Sequence, residues 1–227
     1  MAMTSSSDTL RSLAQARYSC RAFLPEQIPE TVITDIVATA RHAPSWCNAQ
    51  PWQLTITKGA ETDRFRDALY THAKSNAPPV PDIPWPEAYP DVYGERRRAC
   101  GWQLYDAVGI AKGDRVASAA EMMKNFKLFG APHVALLHAP KVLGAHGAMD
   151  CGGFVTAFCL AAQANNVATI AQAALTTYAP FVKNWMGIDA DRSLLCAISF
   201  GRADPNHPVN SFRTARETPD AIINWKG

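Results

Sequence analysis

The sequence lacks the marks of several function classes. Its six cysteines, Cys20, Cys47, Cys100, Cys151, Cys159 and Cys196, form no Cys-x-x-Cys pair and match no zinc spacing. Several sit in apolar runs, where cysteine behaves as a small hydrophobe. A reducing cytoplasm without disulfides is the expectation. The six histidines are scattered, so no metal site is expected. There is no Gly-x-Gly-x-x-Gly fingerprint, hence no Rossmann-type nicotinamide site and no basis for choosing NADH over NADPH. Charge of one sign is also lacking: a net +2 leaves no footprint for a nucleic acid. The first eight residues are short and polar, without the apolar stretch of a signal peptide. Long hydrophobic runs are missing too. Residues Cys151 to Val182 carry no charge, but Gln163, Asn165, Asn166 and Gln172 interrupt them. No stretch of roughly 18 apolar residues survives to span a membrane. A buried central helix followed by a buried strand is expected instead.

What is present is ordinary globular composition, 48% hydrophobic and 19% charged. A chain of 227 residues can bury roughly 70–75% of its unfolded surface. Basic residues concentrate locally, at Arg96, Arg97 and Arg98 and again between Arg202 and Arg216. Such clusters suit a small anion better than a polymer.

Asp8 can cap a short helix running to about Ala16. Pro29 opens a second, through Ala43, with Val32, Ile33, Ile36, Val37 and Ala40 at helical spacing. Pro44 stops it. Trp52 to Thr57 alternates as a strand, and a helix follows to about Ser75. Ala77 to Pro90 holds six prolines and can be neither regular helix nor interior strand; it is a stiff surface loop or a lid. Helices are expected over Val92–Ile110 and Arg115–Lys127, and a strand from His133 to His138. Helix Ala148–Ala164 is apolar almost all round and should be covered on most sides. Strand Ala168–Ala171, helix Pro180–Met186 and strand Leu194–Phe200 complete the series.

Three segments could carry chemistry. The first is Arg17-Tyr18-Ser19-x-Arg21, two guanidiniums and a hydroxyl within five residues, which can hold a phosphate. The second is Pro44-Ser45-x-x-Asn48-x-Gln50-Pro51-Trp52, a stiffened loop whose amides and hydroxyl can match the edge of a flat heteroaromatic ring. The third is Asn210-x-Phe212-Arg213-x-x-Arg216. Each alone reads more simply as a solvated turn, a polar connection or a solubilising tail.

Their order and spacing change that. The chain resembles the FMN-dependent nitroreductase family, nearest its nitrobenzoate-reductase-like branch. The resemblance rests on Arg17–Arg21 with Phe23 and Pro25, on Ala43-Pro-Ser-Trp-Cys-Asn-Ala-Gln-Pro-Trp52, on Asn125–Pro132, on Phe200–Pro205, and on Pro208-Val-Asn with Phe212-Arg213-x-x-Arg216. It implies a nitroreductase-like α+β fold, in which helices flank a central, mostly antiparallel sheet and an extended C-terminal tail is exchanged with a dimer partner. It implies one FMN-binding domain over residues 1–227, with a proline-rich and helical excursion at about 77–130 near the active site. The implied assembly is a homodimer with FMN at the subunit interface. Arg17, Tyr18, Ser19 and Arg21 would line the cofactor from one subunit, and Pro44, Ser45, Trp46, Asn48 and Gln50 from the other. Arg213 and Arg216 would hold the phosphate. Ala173 and Ala174 fall where the family sets a backbone N–H toward flavin N5, although this chain has alanines where acidic or glycine residues are frequent.

The implied activity is hydride transfer from NADH or NADPH to a nitroaromatic, or similar small aromatic or quinone, substrate by ping-pong turnover on the flavin, with no catalytic side chain required. Arg21 is the candidate cation beside the flavin N1 and O2. Phe126 and Phe129, three apart and so on neighbouring faces of a helix, are the candidate substrate walls, with Trp85–Tyr89 as a weaker one. Other reactions on the same fold stay open: quinone or flavin reduction, dehydrogenation, or reductive dehalogenation. So do a non-catalytic flavin-binding module and a purely structural oligomer.

Overall fold

A computed structural model describes residues 5–227. Four strands form one antiparallel sheet in the order β1-β2-β4-β3: β1 Gln53–Ile56, β2 His133–Pro140, β3 Ala168–Gln172 and β4 Arg192–Gly201. The helices are α1 Ser6–Ala16, α2 Glu30–Ala40, α3 Ala60–Lys74, α4 Asp91–Ala107, α5 Arg115–Met123, α6 Gly144–Ala164 and α7 Ala179–Met186. The α+β class, with helices on both sides of an antiparallel sheet, is as expected.

Alternation along the central strands sorts two cores. Ala135, Leu137, Ile198 and Phe200 point toward α2 and α6, where they meet Ile33, Ile36, Phe154 and Phe158. Val134, Leu136, Leu194 and Ala197 point the other way, toward Phe65 and Leu69 of α3 and Val182 of α7. Burial on both faces is why His133–His138 reads as an almost unbroken apolar run. Two histidines sit inside it as neutral rings. His133 Nε2 accepts from Ile28 N–H at 2.9 Å while Nδ1 faces the Thr57 carbonyl at 3.0 Å. His138 Nδ1 accepts from Arg192 Nε at 2.5 Å, which leaves its proton on Nε2 toward Thr55 Oγ1 at 3.2 Å. Burial first, and the Arg192 charge second, push His138 down to about 4.

Several expectations need correction. The cap of α1 is Ser5, whose Oγ accepts from Asp8 N–H at 3.1 Å; Asp8 lies inside the first turn. Helix α5 ends at Met123, and Lys124–Gly130 continues as a tighter turn in which Leu128 and Phe129 take φ values of 55° and 52°. Phe126 and Phe129 therefore do not share one helix. Helix α6 is longer than expected and less covered: Ala145, Met149, Gly152, Gly153 and Thr156 form an exposed stripe, with Met149 72% exposed.

The root of the proline-rich excursion is pinned to the sheet end. Val80 N–H donates to the Thr177 carbonyl at 2.8 Å. Asp82 accepts from buried Lys183 Nζ at 2.9 Å and from Leu194 N–H at 2.8 Å. Beyond Ile83 the excursion is exposed until α4, which packs on the turn Pro208–Asn210. Among the described residues no helix is long and apolar enough to cross a membrane.

Candidate functional site

The segment after α1 is held on both sides. Cys20 N–H donates to the Thr169 carbonyl on the open edge of β3 at 3.0 Å, and Ser19 forms a parallel bridge to Thr169. On the other side Leu24 N–H donates to the Arg202 carbonyl, and Asp204 N–H to the Ala22 carbonyl. Asn210, only 6% exposed, closes the arrangement. Its Oδ1 accepts from Arg21 N–H, and its Nδ2 donates to the Ala22 and Asp204 carbonyls, all at 2.9 Å. One buried amide thus joins the first motif to the third.

Between them lies a cavity of about 570 Å³, walled by Arg17, Tyr18, Ser19, Arg21, Phe212, Arg213, Thr214 and Arg216, with Cys100 of α4 and Ala14 and Gln15 of α1 at its edges. Arg213 stacks on the Tyr18 ring, its guanidinium carbon 3.6 Å from the ring centroid. Burial lowers the Arg21 guanidinium from its ordinary value, and burial raises the Tyr18 phenol and the Cys20 thiol. Four guanidiniums face this one cavity, no carboxylate lines it, and among the described residues none of the four is ion-paired. Like charges gathered at one cavity repel one another, and an anion bound among them relieves that repulsion. The arrangement is built for a phosphate with a planar group attached, and its volume is that of a cofactor pocket.

The other predicted residues lie elsewhere. Pro44, Ser45, Trp46, Asn48 and Gln50 form an exposed or half-buried loop on the N-terminal half of α6. Both carboxylate oxygens of Asp150 sit 3.2 Å from Trp46 N–H, Trp46 meets His146 edge-on at 4.3 Å, and Ser45 Oγ accepts from Gln50 N–H. Cys47, Asn48 and Gln50 all have positive φ, a strained backbone. Ala173 and Ala174 follow β3, beside buried Gln172, which is held by Asn125 and Ser199. Phe126 and Phe129 do not line the cavity: both are buried, Phe126 in the core against Tyr178. Phe129 is buried immediately after Leu128, where the backbone leaves helical geometry. Sequence reasoning missed Cys100 and gave Asn210 no separate role. Asn210 stood in the third motif, but a buried polar anchor leaves no periodic signal.

The nitroreductase family model matches residues 14–202. The chain belongs to this family. Among its relatives is nitroreductase NfnB of Mycolicibacterium smegmatis, 37% identical over 90% of this chain and 87% of that one. A 4-nitrobenzoate reductase of Pseudomonas putida is 29% identical over 97% and 96% of the two chains. The crystal structure of the FMN-dependent nitroreductase NfnB from Mycobacterium smegmatis, in complex with NADPH, superposes with a TM-score of 0.91 at 34% identity, covering 97% of this chain and 99% of that chain. Family membership makes the protein an oxidoreductase with the nitroreductase-like fold.

Proposed function

We propose that the whole chain is one FMN-binding domain of a cytoplasmic, homodimeric NAD(P)H nitroreductase acting on nitroaromatic or similar small aromatic or quinone substrates. The observation that carries this is the four unpaired arginines around one aromatic-walled cavity. They fit FMN. A phosphate of about two negative charges offsets Arg17, Arg213 and Arg216, and the cavity leaves room for the ribityl chain beside Tyr18 and Ser19. Arg21 would stand by the pyrimidine edge, where reduction puts negative charge. The backbone N–H of Ala173 or Ala174 would face N5. When bound, FMN supplies the hydride chemistry itself. The protein's part is to hold the ring, keep Arg21 charged and leave one face open, so that donor and acceptor use the same slot in turn.

The second half-site supports the dimer. Pro44–Gln50 stands exposed and away from the cavity, beside the uncovered stripe of α6. In the tail, Ile222 is 73% and Trp225 82% exposed. A partner chain would cover these surfaces and bring its Pro44–Gln50 loop to the ring. The relatives named for NADPH and for 4-nitrobenzoate support the donor and the acceptor class.

The test is an acceptor panel on the purified yellow protein, supplied with NADH and with NADPH. Nitrobenzoates are expected to be reduced fastest. Turnover with quinones, free flavin or halophenols, and none with nitrobenzoates, would move the protein to another reaction on this fold.

A further inference from the structure

The arginine triplet at residues 96–98 is not part of the flavin site, yet α4 borders that site. Cys100 of α4 lines the cavity. Arg96 and Arg97 precede Cys100 by four and three residues, so they share its face of the helix, one turn away and about 6 Å off. Tyr93 lies a further turn back on the same face. The tail confirms the placement: Arg96 Nη2 pairs with Glu217 at 2.8 Å, next to cavity-lining Arg216. Tyr89 is brought in by Gly94, where an added Cβ would stand 2.6 Å from the Tyr89 carbonyl oxygen. The Arg97 guanidinium lies 5.3 Å from the centre of the Tyr89 ring, and Arg96 lies 6.0 Å from that of Tyr93. Both arginines are exposed, and both tyrosines stay about half exposed, at 49% and 59%.

We infer that this rim, Arg96 and Arg97 with Tyr89 and Tyr93, binds the 2′-phosphoadenosine end of NADPH and selects it over NADH. The inference rests on the nitroreductase reading above. Guanidiniums meet a dianionic phosphate bidentately, and a tyrosine face accepts an adenine. A nicotinamide stacked in the cavity has its adenosine end outside, and α4 offers it a basic, aromatic edge one turn from the opening. Glu217 occupies Arg96 only as an exposed ion pair, which is weak in water and which a phosphate displaces.

The experiment uses the FMN-loaded protein and the variant Arg96→Ala/Arg97→Ala. Calorimetric titration with adenosine 2′,5′-bisphosphate and with adenosine 5′-phosphate reads binding without turnover. Steady-state kinetics with NADPH and NADH read the consequence. The wild type is expected to bind the bisphosphate more tightly. The variant should lose about tenfold in that affinity and in kcat/KM for NADPH through KM. Its kcat/KM for NADH should move less than about twofold. Equal losses for the two nicotinamides, or an unchanged bisphosphate affinity, would overturn the assignment while leaving the reductase reading intact. A wild type whose flavin neither nicotinamide reduces would overturn both.

Discussion

Asn210→Ala removes the buried amide that ties the first motif to the tail. Two groups lose their partner, the Arg21 N–H and the Asp204 carbonyl, while the Ala22 carbonyl loses one donor and keeps the Asp204 N–H. A buried polar group left unsatisfied costs about 1–3 kcal/mol, and neighbouring losses are not additive. Water reaching the cavity side would satisfy part of the set, so the expected total is about 3 kcal/mol. For a chain of this size that lowers Tm by about 6–12 °C. The effect has a second part. Arg21 and Arg213 both border the cavity, and the turn carrying Asn210 also accepts from Arg213 Nη1 at 2.8 Å through its carbonyl. Loosening that turn should weaken FMN as well. Thermal unfolding of FMN-loaded protein gives the first quantity, and flavin fluorescence titration gives the second, with about tenfold weaker binding expected. A Tm within about one degree of wild type and an unchanged FMN affinity would refute the role given to Asn210.

Other predictions follow from the same geometry. Arg17→Ala takes one cation from the cavity wall and should weaken FMN retention about tenfold or more; unchanged affinity by fluorescence titration would remove Arg17 from the site. His138 titrates at about 4 in the fold and near 6.5 when unfolded, so the unfolded chain binds more protons between those values. Its contribution is complete above pH 6.5 and should fall by about 3 kcal/mol on acidification to pH 4, a slope that His138→Gln flattens in urea unfolding. Lys183→Met removes the buried ammonium from Asp82, which keeps only the Leu194 N–H and the more distant Lys141 at 3.9 Å, and should cost about 3 kcal/mol, while adding Asp82→Asn should recover part; equal losses in both variants would argue against the pair. Light scattering of the FMN-bound protein should give a dimer, and a flavin-saturated monomer would contradict the shared site.

The fold was legible where periodicity was strong. Strands β2 and β4 and helix α3 stood within a few residues of their expected places, because a central strand buried on both faces and an amphipathic helix leave continuous patterns. What escaped was set by backbone conformation and by contacts remote in sequence. Nothing local announces that Leu128 and Phe129 adopt positive φ, a region bulky residues seldom enter. The cap of α1 was misplaced because Ser5 and Asp8 are both good capping residues and only their geometry separates them. The arginines of the first and third motifs were visible as charge. Their convergence depends on Asn210 and on the pairing of residues 22–24 with 202–204, across almost the whole chain. The open stripe on α6 could not be read either, since glycines and alanines look alike whether they face a core or another chain.

The most direct test of the account is stopped-flow observation of the purified protein in the absence of oxygen. Mixing with NADPH should bleach a bound flavin spectrum, and a second mixing with 4-nitrobenzoate, after the nicotinamide is removed, should restore it. A protein that binds no flavin, or whose flavin is bleached by neither NADPH nor NADH, would contradict the account.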